Sequence, residues 1–251
     1  MKMKRSFTIL FFVFSLQCHA QKATFKELKL KANTKYYTKK EPTIIFPIVT
    51  TNNPKIDKLI NTQIKNGVFQ PDNENQSLEK VLLENINEYG LTDVSYEVTF
   101  NRYYLLSFSV FSQGCGAYCS STNTYFNFDL STGKKVSIYD VILKSKIDSF
   151  KNIVQSDKVN ALNKYKIEEK NLIGSDAIDS SAYNWIISEV DDNCINQISI
   201  ETFAVSSNSF EIFDPCEFPH VIRSQEPEIE LKYTFSSVKK ILTPKFKKLL
   251  K

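Results

Sequence analysis

The stretch of residues 94–139 constrains the fold most, because its apolar side chains recur at every second position. Alternation of this kind is typical of strands with one buried face. The alternating positions are Val94, Tyr96, Val98 and Phe100, followed by Tyr104, Leu106, Phe108 and Val110. Two short polar segments, Asn101-Arg102 and residues 131–134, are predicted as hairpin turns, with Gly133 suited to a positive φ. The stretch also holds 11 of the 32 aromatic residues, so we expect a β-meander at the centre of the core.

Helical patterns flank this meander on both sides. Apolar residues at helical spacing predict helices from Pro54 to about Asn66, from Ser77 to Gly90, over residues 145–165 and over residues 236–251. The sequence therefore predicts an α+β fold, in which an antiparallel β-meander sheet is packed by three or four helices. We expect residues 21–251 to form one exported domain, with a subdivision near residues 165–182 as the alternative.

Residues 1–20 have the features of a secretory signal peptide. Lys2, Lys4 and Arg5 precede an apolar run over residues 7–16, and Cys18 and Ala20 stand at positions −3 and −1 of a small-residue cleavage site. The apolar run is too short to span a bilayer, which needs about 20 residues. We predict a periplasmic or secreted protein that begins at Gln21 and has no membrane span. A lipoprotein anchored at Cys18 is the lesser alternative, because the bulky Gln17 precedes that cysteine.

The charge balance does not favour a polyanionic partner. The chain has 32 Lys and Arg against 28 Asp and Glu, but three of the basic residues belong to the signal peptide. The mature chain therefore has 29 basic and 28 acidic residues, a net charge of +1. We expect no nucleic-acid partner.

Four cysteines follow the signal peptide, namely Cys115, Cys119, Cys194 and Cys216. An even number in an exported protein favours disulfides, and three pairings are possible. The pairing we favour joins Cys115 to Cys119 across a turn and Cys194 to Cys216 around a hairpin. A zinc site is disfavoured because the second pair lacks the short spacing of zinc ligands. We predict neither a metal nor a cofactor.

Catalytic motifs are incomplete. His220 is the one histidine of the mature chain, and there is no Gly-x-Ser-x-Gly elbow and no Gly-rich phosphate loop. A hydrolase acting on envelope polymers would need His220 paired with Asp191 or Asp192. An Asp-Asp-Asn segment is more often a turn than a catalytic or calcium-binding site. We therefore predict no catalytic residue and keep the hydrolase as the alternative.

The order of several motifs resembles one exported domain family. They are Ile45-Phe46-Pro47 with residues 60–64, residues 104–111 before the turn 114–118, residues 125–130 with Thr132-Gly133-Lys134, Ile138-Tyr139-Asp140, and residues 210–233. The chain resembles the domain shared by the lysozyme-sensing anti-sigma factor of Gram-positive bacteria and the accessory region of some peptidoglycan deacetylases. Most members of that family have no known function. Many carry Gly-Ala-His at the turn, where this chain has Gly116-Ala117-Tyr118 between two cysteines.

The resemblance implies a binding role rather than catalysis, because the sequence carries no anti-sigma, membrane-spanning or deacetylase segment. The expected partner is a cell-envelope glycan or an extracellular protein such as lysozyme. The expected binding residues are Gly116 and Tyr118 at the turn, with His220 and Arg223 in the late loop. The sequence leaves the oligomeric state open.

Overall fold

A computed structural model of the protein describes residues 22–33, 43–71, 75–171, 180–214, 216 and 218–250. The predicted signal peptide with Cys18 lies outside these residues, and so does part of the predicted subdivision near 165–182, which stays a prediction. The described strands are β1 (Thr24–Lys31), β2 (Thr43–Thr50), β3 (Leu91–Arg102), β4 (Leu105–Cys115), β5 (Cys119–Asp129), β6 (Lys134–Lys135), β7 (Phe203–Val205), β8 (Ser209–Phe213) and β9 (Glu230–Thr234). The described α-helices are α1 (Pro54–Phe69), α2 (Leu78–Asn87), α3 (Ile138–Val141), α4 (Ile147–Lys170), α5 (Ser180–Glu189), α6 (Phe235–Val238) and α7 (Pro244–Leu249).

The predicted α+β fold and its central meander are confirmed. Strands β3 to β6 form a four-stranded antiparallel sheet in sequence order, accompanied by the hairpin β1–β2 and the three-stranded sheet β7–β8–β9. The meander separates two hydrophobic clusters. The first contains Leu106, Phe108 and Val110 of β4 and is covered by α1, α2 and the β1–β2 hairpin. The second is built from α4, α5, the third sheet and the last two helices.

A β-bulge changes which face of the meander Phe100 occupies. Val98 pairs with Phe108 but Phe100 pairs with Ser107, so one extra residue interrupts β3. Because a slip of one residue turns the following side chains to the other face, Phe100 lies in the second cluster while Val94 lies in the first. The prediction that Val94, Tyr96, Val98 and Phe100 share one face was therefore wrong at Phe100.

The first hairpin turn also lies two residues later than predicted. Strand β3 continues through Asn101 and Arg102, and the turn is Tyr103-Tyr104, with φ angles of 54° and 67°. Left-handed φ is unusual for tyrosine, but the two rings pack on opposite hydrophobic clusters. Burial of the rings thus decides a turn that local propensity would place elsewhere. The second predicted turn is confirmed, with Gly133 at φ 70°.

Helix α1 does not end at about Asn66, just before Gly67, as predicted but runs to Phe69. A Cβ atom at Gly67 would lie 2.9 Å from Cε1 of Phe126 on β5. Gly67 therefore allows the helix to approach the meander closely and does not act as a cap. The helix ends instead at Gln70, whose φ of 44° is left-handed.

The predicted terminal helix over residues 236–251 is broken into α6 and α7 within the described residues. Thr243 caps α7 by accepting from the backbone N–H of Phe246, and Pro244 occupies the first turn. The connection between the helices pairs with the segment after α3, through an isolated bridge between Ile142 and Leu242.

Both predicted disulfides are present, Cys115–Cys119 and Cys194–Cys216. The first joins the ends of β4 and β5 at the tip of their hairpin. The second is buried in the second hydrophobic cluster, where it links the end of the α5 region to the chain after β8. Disulfides of this kind are compatible with an oxidising extracytoplasmic compartment.

Two polar side chains attach the third sheet to the back of the meander. Asn127 Nδ2 donates to the carbonyl of Phe203 at 2.7 Å, and the backbone N–H of Val205 donates to Ser107 Oγ at 2.8 Å. Ser107 and Asn127 face each other across β4 and β5, and both are buried. They therefore supply hydrogen-bond partners for backbone groups on the edge of β7 that does not pair with β8.

Helix α4 carries a fully buried lysine within its core-facing stripe. Phe150, Val154 and Leu162 are buried at four-residue intervals, and Lys158 takes the position between Val154 and Leu162. Its ammonium lies 2.9 Å from Oδ2 of Asp214 and donates to the carbonyl of Gln197 at 2.6 Å. The other carboxylate oxygen, Oδ1 of Asp214, accepts from the backbone N–H of Ser199 at 3.1 Å. The pair thus ties α4 to the segments on both sides of the β7–β8 hairpin.

We expect Gly67→Ala to lower the free energy of unfolding by about 1 kcal/mol and at most by about 2 kcal/mol. Overpacking costs roughly 1–3 kcal/mol, of which alanine recovers about 1 kcal/mol through helix propensity. Chemical denaturation measures the change, with Gly116→Ala as the control, because a Cβ there would meet no atom within 4 Å. A Gly67→Ala protein as stable as wild type would show that the Phe126 ring moves aside freely.

We expect Lys158→Met to lower the free energy of unfolding by about 3–5 kcal/mol, because it leaves the buried Asp214 carboxylate without its cation. The double variant Lys158→Met with Asp214→Asn should regain part of that loss, since it leaves no uncompensated buried charge. Lys164→Met is the matched control on the same helix. Its ion pair with Glu168 is largely exposed and contributes less than about 1 kcal/mol. Equal losses from the two lysine substitutions would contradict the assigned role of Lys158.

Candidate binding surfaces

The tip of the β4–β5 hairpin contains the predicted binding residues Gly116 and Tyr118. Residues 116–123 are all exposed, and the Tyr118 side chain is 70% exposed. The Gly116 N–H donates to the carbonyl of Tyr118 at 3.0 Å, and the Cys115 N–H donates to the carbonyl of Gly90 at 2.8 Å. The disulfide and these two hydrogen bonds hold the tip in one shape.

The other predicted binding residues lie on a different element. His220 and Arg223 belong to a 3₁₀ helix, His220–Gln225, in which Arg223 is exposed. That turn is held against α4, because the Tyr165 hydroxyl donates to the carbonyl of Gln225. The two predicted pairs are thus positioned by separate parts of the fold, and their binding role stays a prediction.

The two carboxylates of the hydrolase alternative follow α5 in a single π-helical turn, Val190–Cys194. Asp191 forms an ion pair with Lys166 of α4, and Asp192 accepts from the Ser188 hydroxyl at 3.0 Å. Both residues are exposed. The two carboxylates thus have partners on α4 and α5, and their pairing with His220 stays a prediction.

A cleft of about 310 Å³ lies where the meander meets the segment that leads into β7. One wall comes from β5, β6 and the start of α3, and the other comes from the chain around Phe203. The lining residues are Tyr125, Asn127, Lys135, Val136, Ser137, Ile138, Tyr139, Glu201 and Phe203. Two hydrogen bonds join the walls: the Tyr139 hydroxyl donates to Glu201 Oε1 at 3.3 Å, and Asn127 Nδ2 donates to the Phe203 carbonyl. Tyr139 remains 51% exposed.

Asn127 of the cleft lining is only half satisfied. Its Nδ2 donates to the Phe203 carbonyl, whereas its buried Oδ1 has no hydrogen-bond partner. A flip of the amide would bring Oδ1 against the Phe203 carbonyl, so the observed orientation is the favourable one. An unpaired buried acceptor costs about 1–3 kcal/mol. This cost marks Asn127 as the unusual group of the cleft.

The electrostatics around Tyr125 are dominated by burial and by carboxylates. Its ring stacks on Phe213 with centroids 4.0 Å apart. Burial raises the pKa of Tyr125, and the carboxylates of Glu230 and Glu228 raise that pKa further. Burial also raises the pKa of Glu230, and its contact with the Glu211 carboxyl group raises it again. Glu211 in turn pairs with Lys232 at 2.7 Å.

The residues that line this cleft were not among the sequence predictions. Asn127, Lys135 and Glu201 look like ordinary solvent-facing residues in a strand or loop. Lys135 and Glu201 are indeed exposed, whereas Asn127 is buried because the third sheet docks on it. The available signal was Asn127 itself, a polar residue between Phe126 and Phe128 in the most aromatic part of the chain.

Solved structures of DUF3298 family proteins share this fold. A DUF3298 family member from Bacteroides fragilis NCTC 9343 matches with a TM-score of 0.56 at 13% identity, covering 92% of this chain and 96% of that protein. A DUF3298 family protein from Pseudomonas aeruginosa PAO1 matches with a TM-score of 0.54 at 12% identity, covering 89% and 94%. No protein-family model matches the chain, and no curated protein matches it significantly.

The structural neighbours belong to a domain family of unknown function. At 12–13% identity the likeness shows the fold alone. The links to the anti-sigma factor and to the deacetylases stay predictions. Within the described residues, no helix has both the length and the apolar composition that crossing a bilayer requires. The same residues contain no cluster of three or more His, Cys, Asp or Glu side chains that could hold a metal.

We expect Glu230→Gln to stabilise the protein at pH 7. The pKa of Glu230 is raised in the folded state above its ordinary value of 4.5, so ionisation opposes folding at neutral pH. The penalty is absent below pH 4.5 and is complete above the folded pKa. The gain from Glu230→Gln should therefore shrink as the pH falls through the folded pKa and vanish below 4.5. Melting temperatures measured from pH 4 to pH 8 check this.

Glu228→Gln is the charge-matched control in the same segment. It removes one negative charge but leaves the contact between Glu230 and Glu211 in place. An equal gain from both substitutions would attribute the effect to net charge and would contradict the role of that contact.

Proposed function

We propose that the chain is a non-catalytic, extracytoplasmic binding module whose ligand is a cell-envelope component or an extracellular protein such as lysozyme. The observation that carries this proposal is the disulfide-closed tip of the β4–β5 hairpin. It presents eight consecutive exposed residues, 116–123, and one largely exposed aromatic side chain, Tyr118. Exposed aromatic residues on a rigid support are frequent anchors of protein interfaces.

The construction of the tip favours binding because little freedom is lost when a ligand docks. Residues 105–115 pair with residues 119–129 without a register shift, and the disulfide closes the last pair. The base of the tip is fixed by the hydrogen bond from Cys115 to Gly90 and by the Thr92 hydroxyl, which donates to the Gln113 carbonyl at 3.1 Å. A preorganised element loses less conformational entropy on binding than a mobile loop.

The compartment is inferred from three features together. Residues 1–20 read as an export signal, both disulfides suit an oxidising environment, and the family that the sequence resembles is exported. A periplasmic or secreted location would bring the tip into contact with envelope glycans and with extracellular proteins. The chain is proposed to act there without catalysing a reaction.

The test is a pull-down of the mature chain on immobilised lysozyme and on purified peptidoglycan. Wild type should bind at least one of them, and Tyr118→Ala should weaken that binding about tenfold or more, as expected for an anchor residue. The double variant Cys115→Ser with Cys119→Ser should weaken binding to a smaller degree, because it loosens the tip without removing the ring. Trp185→Ala, which removes an exposed aromatic residue of α5, is the control. Failure of wild type to bind either ligand would refute the proposal.

A further inference from the structure

We propose that the cleft between the meander and the segment before β7 binds a sugar residue of a glycan. Asn127 accepts a hydrogen bond from the sugar, and Tyr139 supplies an aromatic surface at the mouth. This inference rests on the proposed binding function and deepens it, because it names a ligand class and a second site separate from the hairpin tip.

The strongest argument is a comparison among three asparagines that serve the same structural role. Asn61 of α1 donates to the Val49 carbonyl at 2.7 Å and accepts from the Val49 N–H at 2.8 Å. Asn101 donates to the Ala23 carbonyl at 2.8 Å and accepts from the Ala23 N–H at 2.9 Å. Each of these amides thus uses both its nitrogen and its oxygen on the backbone of one residue.

Asn127 departs from this pattern. Its nitrogen holds the Phe203 carbonyl, but the neighbouring edge N–H, that of Val205, is taken by Ser107 Oγ. The carbonyl oxygen of Asn127 is left without a partner although the residue is only 6% exposed. Buried polar groups in folded proteins nearly always have partners. A residue that lines a cleft and lacks one is suited to accept from a ligand.

The cleft lining selects an amphipathic ring over a purely apolar ligand. Apolar surface comes from Phe203, Val136 and Ile138, whereas hydrogen-bonding groups come from Lys135, Ser137 and Glu201. A sugar matches both, because its C–H face packs on apolar and aromatic surface while its hydroxyl or amide groups form hydrogen bonds at the edge. The volume of about 310 Å³ is at the small end of ligand pockets, which suits one or two sugar residues.

Entry requires a small opening of the cleft. The Oδ1 atom of Asn127 is closed off from solvent in the unliganded protein, so a ligand reaches it only when exposed side chains of the lining move, while the Asn127–Phe203 hydrogen bond stays in place. The contact between Tyr139 and Glu201 is a 3.3 Å hydrogen bond between exposed side chains and is easily exchanged for water. Sugar hydroxyls can replace it. Tyr139 and Glu201 are therefore the lining side chains that we expect to move when a ligand enters.

The experiment is an NMR titration of the ¹⁵N-labelled mature chain with two soluble probes, tri-N-acetylchitotriose and cellotriose. They share ring size and linkage but differ in the acetamido group, so the stronger ligand identifies which donor Asn127 prefers. We expect saturable shifts of the Asn127 side-chain amide and of the Val136 N–H, which donates to the Asn127 backbone carbonyl. Tyr139→Ala should weaken binding about tenfold, equivalent to about 1.4 kcal/mol. Tyr139→Phe should retain binding because it keeps the ring.

Tyr89→Ala is the matched control, since Tyr89 is another exposed tyrosine and lies outside the cleft. No saturable shift with either sugar, or shifts that are unchanged by Tyr139→Ala, would overturn the assignment. Tyr118→Ala separates the two proposals. If it abolishes the lysozyme or peptidoglycan pull-down while neither sugar binds, the hairpin-tip proposal stands and the cleft inference fails. Lysozyme binding that depends on Tyr139 would likewise overturn the sugar assignment in favour of a protein ligand.

Discussion

The attachment of β7 to the back of the meander is the interaction on which the rest of the structure depends. Strand β7 has three residues and pairs with β8 along one edge only. The hydrogen bonds from Asn127 and to Ser107 satisfy its other edge without a further strand. As a result, both faces of the meander are covered. One face packs against the first hydrophobic cluster, and the other face receives the third sheet. A sheet with both faces buried must place its polar residues where they can meet backbone groups.

This requirement explains where the sequence was informative and where it was not. The residues that face the first cluster, such as Leu106 and Phe108, are apolar at every second position and were correctly predicted as a buried face. The opposite face contains Ser107 and Asn127, which in isolation look like solvent-facing residues of a half-buried sheet. Lys158 was missed for the same reason, since its burial depends on Asp214, which lies 56 positions away in the sequence. An apolar pattern describes the residues of a single element, whereas the partners of Ser107, Asn127 and Lys158 come from distant segments of the chain.

The boundaries that differed from prediction also have tertiary causes. Gly67 resembles a helix end in sequence but serves a close approach to Phe126. The Tyr103-Tyr104 turn takes left-handed backbone angles because the two rings reach different clusters. Each case is a local preference overruled by packing. The candidate cleft lies where the meander meets the segment before β7, and its lining could not be assembled from the sequence because the two walls come from distant segments. The hairpin tip, by contrast, is defined by two nearby cysteines and was predicted.

The two candidate surfaces therefore differ in how they can bind. The hairpin tip is preorganised by covalent and backbone contacts, so it suits a large partner that docks without reshaping it. The cleft combines an unsatisfied acceptor with a weak contact across its mouth, so it suits a small ligand that supplies the missing hydrogen bond on entry. In the free protein the unpaired Oδ1 of Asn127 is unfavourable, and a ligand that donates a hydrogen bond to it would remove that cost. That relief contributes to affinity only for ligands that carry a donor at the right place, and in this way a single buried oxygen can provide both affinity and specificity.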